Sequence, residues 1–284
     1  MKKMMTRLAA MFLLVAMVFV LGACAAKTPE KADDTQNQSA SKTEAPKDLL
    51  EEIKDRGYIT IATEGNWSPW TYHDEKDELV GLDIEIGKAI AEYIGVDAKF
   101  EETDWDSILA GVDAGRFDIA CNGVGYTKER AEKYNFSTPY VYTAKVLVVR
   151  KDETRINSLE DLKGMTTANT ASSTYAILAE QYGATVTPAN TLLDTIQLLE
   201  QERVDATINA EGSIQDYLNE HPDANLKMIP IAEGDPVAYP IRKVPEAESL
   251  LKAVNEALEE MRKNGKLAEI SIKYFGVDMT KEAQ

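Results

Sequence analysis

The residues with the most distinctive chemistry in this chain lie at a predicted helix start, Thr127-Lys128-Glu129-Arg130. Thr127 is a residue type that caps helices, and Gly123 and Gly125 leave the backbone before it open. Free N–H groups at a helix start, together with a nearby cation, form an anion site. Arg130 can bind a carboxylate through two parallel hydrogen bonds. The alternative is an ordinary surface arginine in the first turn of a helix, and the residue types alone favour it.

Two asparagines each end a short segment, and the two segments are similar. Residues 116–122 match residues 203–209 as Arg-apolar-Asp-x-x-x-Asn, and each segment follows an amphipathic stretch. Unless this similarity is chance, Asn122 and Asn209 lie at the carboxyl ends of equivalent strands. Open α/β sheets bind ligands at that edge. Two such edges that face each other would form a cleft.

Short β-branched runs alternate with amphipathic stretches along residues 48–284. The predicted strands are residues 58–62, 98–101, 117–121, 145–149, 165–169 and 204–208. The predicted helices are residues 83–94, 108–112, 174–182, 191–199 and 245–262. This alternation predicts an α/β fold whose mostly parallel sheets carry helices on both faces.

The composition argues against several functions. A formal net charge of −17 disfavours nucleic acid and anionic lipid surfaces as partners. Cys24 and Cys121 are the two cysteines, and the apolar run around Cys121 favours a buried small residue over the alternative of a catalytic thiol. His73 and His221 lie in polar, turn-like segments away from any plausible metal cluster. We therefore expect no metal and no other cofactor.

The first residues indicate the compartment. Three basic residues precede an apolar run at residues 8–20, and Leu21-Gly22-Ala23-Cys24 follows. This is the layout of a secretory signal peptide. The small residues before the cysteine resemble the lipobox of bacterial lipoproteins, in which the chain is cut before the cysteine and the thiol is lipidated. The alternative is an uncleaved membrane anchor that continues through Ala26. Both interpretations place the remaining chain outside the cytoplasmic membrane.

A flexible tether is predicted between the signal and the folded part. Residues 24–47 are rich in polar residues and alanine, and they contain almost no large apolar residue. Such a segment cannot bury enough surface to fold. We expect a signal peptide at residues 1–23, a tether at residues 24–47, and a protein held at the cell membrane by a lipid on Cys24.

Eight short stretches together carry a resemblance to a known family. They are Ala62–Trp70, Leu79–Glu85, Thr103–Asp106, Gly115–Ile119, Tyr126–Arg130, Asn135–Tyr140, Leu159–Gly164 and Ile270–Gly276. In this order, over residues 48–280, they resemble the family 3 solute-binding proteins of polar amino-acid importers. The resemblance implies two lobes joined by a two-strand hinge, with a ligand cleft between them. It also implies a monomer without enzymatic activity that delivers an amino acid to the permease subunits of an ABC importer.

The resemblance assigns the ligand carboxylate to particular positions. It implies that Arg130 binds the α-carboxylate, and that Ser173 and Thr174 offer hydroxyl and N–H groups to it. Gly123 and Gly125 would line the same pocket through main-chain groups alone, since the family often has hydroxyl residues there. Ordinary capping of a helix by this Ser/Thr run is the alternative, and both roles can hold together.

The tryptophans are assigned in the same way. The resemblance implies that Trp67 and Trp105 sandwich the ligand. Trp67 and Trp70 lie in a loop-like Gly-Asn-x-Ser-Pro context, and loops carry binding sites more often than cores. Core packing is the alternative for all three, and for Trp70 the two interpretations are balanced.

One position departs from the family pattern. The family usually has an aspartate for the ligand ammonium two residues past the position of Ile208, where this chain has Ala210 followed by Glu211. Either Glu211 or another acid such as Glu64 takes that role, or the ligand lacks the usual ammonium contact. Residues 63–65 and 134–140 look like those of cystine-binding members.

The resemblance also predicts where the chain passes between lobes. The first lobe would comprise residues 48–144 with the C-terminal return at residues 243–284, and the second lobe residues 145–242. The alternative function is a dehydratase-type enzyme acting on a small carboxylic acid, for which Glu64 and Glu211 are candidate acids or bases. A third class, a sensor input domain, would need a membrane-spanning or signalling segment that residues 48–284 do not contain.

Overall fold

Parallel strands organise the first part of the chain in the computed structural model, which describes residues 47–282. In chain order the elements of this part are α1 (Leu49–Arg56), β1 (Tyr58–Thr63), β2 (Asn66–Trp67), β3 (Thr71–His73), β4 (Leu79–Val80), α2 (Leu82–Ile94), β5 (Asp97–Glu102), α3 (Trp105–Asp113), β6 (Ile119–Ala120), α4 (Lys128–Lys133) and β7 (Tyr134–Phe136). Strands β5, β1 and β6 form a parallel sheet, and β2, β3 and β4 form a small antiparallel sheet. The predicted signal peptide, Cys24 and nearly all of the predicted tether lie outside the described residues.

Two long strands that pair with each other dominate the next part. In chain order the remaining elements are β8 (Val141–Arg150), β9 (Thr166–Asn169), α5 (Thr174–Gln181), β10 (Thr185–Pro188), α6 (Leu192–Glu200), β11 (Thr207–Ala210), α7 (Glu211–Glu220), β12 (Leu226–Val237), β13 (Pro240–Arg242), α8 (Glu248–Lys263) and α9 (Lys266–Phe275), with single 3₁₀ turns at Leu159–Leu162 and Pro245–Ala247. Strand β8 lies between β11 and β12 and is antiparallel to both, whereas β9 and β10 are parallel.

Side chains alternate along the central strands and pack against helices on both faces. In β1, Ile61 packs with α2 and α8 on one face, and Ala62 packs with α3 on the other. In β8, Val148 packs with α6 and α7, whereas Leu147 packs with α5 on the opposite face. The predicted α/β fold with helices on both sheet faces is therefore confirmed.

Separate hydrophobic clusters divide the described chain into two lobes. Strand β8 begins with Val141 among the buried residues of the first lobe and continues to Val148 in those of the second. Strand β12 begins with Leu226 in the second lobe and ends with Val237 in the first. The two strands are antiparallel because the chain leaves on one and returns on the other. The sheets β5–β1–β6 and β9–β10 are thus parallel, whereas the two crossing strands pair antiparallel.

Residues just before the predicted second crossing near Arg242 pack with the first lobe. Val237, Tyr239 and Ile241 are fully buried in the first lobe's cluster, and β13 pairs with β7 of the same lobe. The sequence pattern alone does not separate these apolar residues from a strand of the second lobe. We propose that the second lobe ends within β12, before residue 242.

The two similar segments found in the sequence occupy equivalent positions in the two lobes. The Asp118 carboxylate accepts the N–H of Thr60 in β1 at 2.7 Å, and the Asp205 carboxylate accepts the N–H of Thr166 in β9 at 2.9 Å. Each carboxylate also pairs with an arginine. Each aspartate therefore links its segment to an earlier strand, β1 in the first lobe and β9 in the second.

Candidate ligand-binding site

A cavity of about 620 Å³ lies between the two lobes. Small-molecule sites usually measure about 300–1,000 Å³. Nine of the predicted ligand residues line this cavity, and these are Glu64, Trp67, Trp105, Gly123, Gly125, Arg130, Ser173, Thr174 and Asn209. The first six belong to the first lobe and the last three to the second. Asn122 and Glu211 are not among the lining residues.

The Arg130 side chain supplies a cation inside this cavity. Its Nη1 donates to the Gly125 carbonyl oxygen at 3.0 Å and its Nη2 to the Ser172 carbonyl oxygen at 3.4 Å. The guanidinium carbon lies 5.3 Å from the centroid of the Trp105 ring. Thr127 caps α4 as predicted, since its side chain accepts the N–H of Arg130 at 3.1 Å. Burial lowers the pKa of Arg130, yet a guanidinium stays charged in proteins.

This arrangement is suited to an anion. Within residues 47–282 the hydrogen-bond acceptors of the Arg130 guanidinium are carbonyl oxygens rather than carboxylates. A partly buried cation of this kind is stabilised by a ligand carboxylate that forms a bidentate pair with it.

The start of α5 lies on the second-lobe side of the same cavity. Ser173 caps the helix, because its Oγ accepts the N–H of Ala176 at 3.1 Å. The Ser172 hydroxyl donates to the Asp106 carboxylate of the first lobe. Ser173 and Thr174 both line the cavity, and the first turn of a helix presents main-chain N–H groups to an anion. The capping alternative therefore holds for Ser173 together with its position at the cavity.

The three tryptophans separate into two groups. Trp67 and Trp105 line the cavity, whereas Trp70 is fully buried and stacks on Trp67 with ring centroids 5.4 Å apart. Core packing is thus the correct interpretation for Trp70. Its Nε1 donates to the Ser213 hydroxyl of the second lobe at 3.2 Å, and the Ser68 hydroxyl donates to Asp216 of that lobe at 2.7 Å. These two hydrogen bonds link the lobes outside the cavity lining.

Asn122 positions Glu64 instead of lining the cavity as predicted. It is fully buried two residues past β6, its Oδ1 accepts the N–H of Glu64 at 2.8 Å, and its Nδ2 donates to Glu64 Oε2 at 2.6 Å. Burial raises the pKa of Glu64 to about 7, and nearby Asp104 and Asp106 raise it further against the lowering effect of the Asn122 hydrogen bond. Glu64 is therefore a positioned carboxyl group that titrates near neutral pH.

Glu211 is exposed and lies outside the cavity lining. Strand β11 ends at Ala210 and α7 begins directly with Glu211, so the backbone changes direction at this residue. The structure gives no support to Glu211 as the ammonium-binding acid, whereas Glu64 lies in the cavity.

Sequence reasoning missed several polar residues of the cavity. Lys145 in β8 and Asp235 in β12 form an ion pair and both line the cavity. Asn169 at the end of β9 also lines it. Among the described residues, two buried atoms at the cavity lack a hydrogen-bond partner, Asn169 Oδ1 and Trp105 Nε1. The signal for Lys145 was present in the sequence, because a single charge interrupts an apolar run.

Gly123 must be glycine for a steric reason. Its φ is +55°, and a Cβ at this position would lie 2.7 Å from the Trp67 ring. Its N–H donates to the buried Asp83 carboxylate at 2.5 Å, and that carboxylate also accepts the Tyr239 hydroxyl at 2.8 Å. Asp83 therefore fixes this part of the cavity wall from behind.

Cysteine and possible metal ligands are the other side chains that could carry chemistry. Cys121 is fully buried, and burial raises the pKa of its thiol well above the usual value, which supports the packing role. Residues 47–282 contain no cluster of three metal-ligating side chains. No helix in that range is long and apolar enough to cross a membrane.

Known proteins resemble this chain in sequence and in structure. The L-cystine-binding protein TcyA of Bacillus subtilis is 36% identical, over 96% of this chain and 98% of the relative. A solved ancestral arginine-binding protein bound to arginine is 34% identical with a TM-score of 0.73, over 78% of this chain and 99% of that one. The L-cystine solute receptor of Neisseria gonorrhoeae, in an unliganded open conformation, is 35% identical with a TM-score of 0.56, over 82% and 99%.

The family assignment rests on a match to a sequence model that covers most of the chain. The sequence model of the bacterial extracellular solute-binding proteins, family 3, matches residues 59–277. That range includes all eleven positions predicted as ligand contacts and both crossing strands. The chain therefore belongs to the bacterial extracellular solute-binding proteins, family 3.

Proposed function

We propose that this protein captures a polar amino acid, L-cystine, between its two lobes and delivers it to the permease of an ABC importer. The observation that carries this proposal is Arg130, a partly buried cation in the cavity between the lobes, whose hydrogen bonds within the described residues go to carbonyl oxygens. The match to an L-cystine-binding protein over nearly its full length supports cystine as the ligand.

In the proposed complex each end of an amino-acid headgroup has a partner. The α-carboxylate pairs with Arg130 and with the N–H groups at the start of α5 near Ser173 and Thr174. The ammonium pairs with Glu64, which replaces the aspartate that the sequence lacks at Ala210. Trp67 and Trp105 flank the ligand, and Asn209 and the backbone of Gly123 and Gly125 complete the wall.

Capture is proposed to be a closing motion of the lobes about β8 and β12. Two extended strands bend without unfolding the sheets to which they belong. The protein acts as a monomer outside the cytoplasmic membrane, and a lipid on Cys24 holds it there. The tether of residues 24–47 then lets the folded part reach the permease.

A ligand panel tests the proposal. The melting temperature of the protein without residues 1–23 is measured with each common amino acid and with L-cystine. A ligand present at 100 times its Kd stabilises the folded state by about 2.7 kcal/mol. We expect the largest shift with cystine. If no amino acid raises the melting temperature, the proposed function is wrong.

Glu64 also supports a second candidate, a dehydratase acting on a small carboxylic acid. A general acid or base works best with a pKa near the operating pH, and burial raises the pKa of Glu64 to about 7. A turnover assay with small hydroxy and keto acids distinguishes the two functions. We expect binding without product, because the protein's family consists of solute-binding proteins.

A further inference from the structure

The partly buried ionisable side chains of the cavity comprise two acidic and two basic residues. Six ionisable residues with formal charges at neutral pH line it, and Glu129 and Lys133 are exposed on α4. The partly buried ones are Glu64 and Asp235, which are acidic, and Arg130 and Lys145, which are basic. The amino-acid headgroup of the proposed ligand uses one charge of each sign. Another pair, Lys145 and Asp235, remains after that headgroup is bound.

Lys145 and Asp235 lie on the two crossing strands. Asp235 is directly opposite Thr143 in the antiparallel register, and Lys145 is two residues from Thr143 on the same strand. All three side chains therefore share one face of the β8–β12 ribbon, and all three line the cavity. The side chains of Lys145 and Asp235 are 17% and 40% exposed. Their charges are thus accessible from the cavity.

A partly exposed ion pair can exchange partners with a dipolar ligand. A headgroup with an ammonium and a carboxylate replaces both halves of the pair at once, so that neither Lys145 nor Asp235 is left with an unpaired buried charge. A ligand with a single headgroup leaves the pair intact. The pair therefore distinguishes ligands by their number of charged headgroups.

We propose that Lys145 and Asp235 form a second headgroup subsite, which makes this cavity selective for amino acids with two zwitterionic ends, such as L-cystine. In the complex, Lys145 binds the second carboxylate and Asp235 binds the second ammonium. This inference rests on the proposed function, because it assumes that the first headgroup binds at Arg130.

The first test compares different ligands of the wild-type protein. Calorimetry compares L-cystine with the disulfide of L-cysteine and ethanethiol, which keeps one headgroup and the disulfide but has a methyl group in place of the second headgroup. Hydrogen bonds to charged groups contribute about 1.5–3 kcal/mol, so we expect cystine to bind roughly tenfold to a hundredfold more tightly. L,L-Cystathionine, which has two headgroups and no disulfide, should also bind more tightly than the one-headed ligand. Equal affinity of cystine and the one-headed ligand would overturn the second subsite.

The second test uses a protein variant in which Lys145 and Asp235 are both replaced by uncharged residues. In the double variant Lys145→Met, Asp235→Asn we expect the affinity for cystine to fall roughly tenfold to a hundredfold, to that of the one-headed ligand. The affinity for the one-headed ligand should stay unchanged. The control is Lys252→Met, Glu256→Gln, which removes an exposed pair on α8 in the first lobe and should change neither affinity. Melting curves confirm that each variant is folded.

The outcomes separate this inference from the function on which it rests. If wild type binds no amino acid, the proposed function fails. If wild type binds cystine and the double variant binds it equally well, the second subsite is wrong and the proposed function stands. If the double variant weakens both ligands equally, Lys145 and Asp235 serve the first headgroup, and the subsite is again wrong.

Discussion

At the scale of single residues, substitution of Arg130 tests whether this side chain binds the ligand or is an ordinary surface arginine. If Arg130 pairs with the ligand carboxylate in a closed cavity, Arg130→Ala leaves the carboxylate buried and unpaired, which costs about 2–5 kcal/mol. We expect calorimetry to show binding weakened roughly thirty-fold to several thousand-fold. Arg130→Lys should also bind poorly, because an ammonium lacks the planar fork of the guanidinium.

Unchanged affinity of Arg130→Ala would instead assign the carboxylate to the start of α5. The melting curve of the ligand-free variant serves as the control and shows whether the variant is folded.

Glu64 predicts a pH dependence of binding. Burial raises its pKa to about 7 in the ligand-free protein, so at a pH of about 5.5 the carboxyl is protonated and cannot pair with an ammonium. Affinity for the ligand should therefore rise as the pH increases from about 5.5 to about 7.5. In Glu64→Gln the affinity should be lower at the higher pH and nearly independent of pH over this range. The same pH dependence in both proteins would exclude Glu64 as its source.

Several of the cavity residues were predictable from the chemistry of their side chains and from the order of the family's motifs. Arg130, Ser173, Thr174 and the cavity tryptophans were found from residue type and family order. Asn122 was predicted to contact the ligand because it follows the carboxyl end of a strand. Its position in the sequence does not show whether its side chain faces the cavity. Asp235 was missed because nothing in the local pattern marks it, and its role arises only when β12 lies opposite β8.

At the scale of elements, Asp83 links the start of α2 to the cavity wall. Burial raises its pKa to about 6, against hydrogen bonds that include those from Gly123 and Tyr239. Because the folded-state pKa is higher than the unfolded value, the protonated carboxyl favours the folded state below about pH 4. This contribution is lost as the pH rises to about 6.

The measurement compares wild type with Asp83→Asn. The free energy of unfolding of wild type should fall relative to the variant between about pH 4 and about pH 6.5, by roughly 3 kcal/mol for a shift of about two units. Parallel curves over this range would show that Asp83 does not titrate in it.

The elements that the sequence predicted share a clear periodic signal. The strands β1 and β5 and the helices α2 and α6 lie within one or two residues of their predicted positions, because their apolar residues repeat with the period of the element. Strand β12 and helix α7 were missed. Strand β12 contains two prolines, Pro230 and Pro236, and α7 has few buried residues, so neither shows the expected pattern.

At the scale of the whole molecule, closing about β8 and β12 should be visible in solution. Small-angle scattering of the protein without residues 1–23 should show a smaller radius of gyration with saturating ligand than without it. The matched control adds the ligand to Arg130→Ala, in which no compaction is expected at the same concentration. Identical radii for wild type in both states would contradict a closing motion.

The proposed lipid anchor on Cys24 predicts where the protein is found in the cell. Cys24→Ser removes the thiol that would carry the lipid, so the protein should remain unprocessed or leave the membrane. Mass spectrometry and fractionation of cells measure both outcomes. Wild-type mass and membrane retention in this variant would refute lipidation at Cys24. Ser41→Ala in the predicted tether is the control and should leave processing and membrane retention unchanged.

The hydrogen bonds that Trp70 and Ser68 send to the second lobe have a consequence for transport efficiency. Neither bond involves a cavity-lining residue, so both should favour the closed arrangement in empty and loaded protein alike. Any empty molecules that are closed would then compete with loaded ones for the permease. Weakening these bonds, as in Ser213→Ala, should reduce binding of the empty protein to the permease. The same change should raise the apparent Kd for the ligand. Stronger contacts would therefore increase the affinity for the ligand, whereas weaker contacts would increase the fraction of permease that is bound to loaded protein.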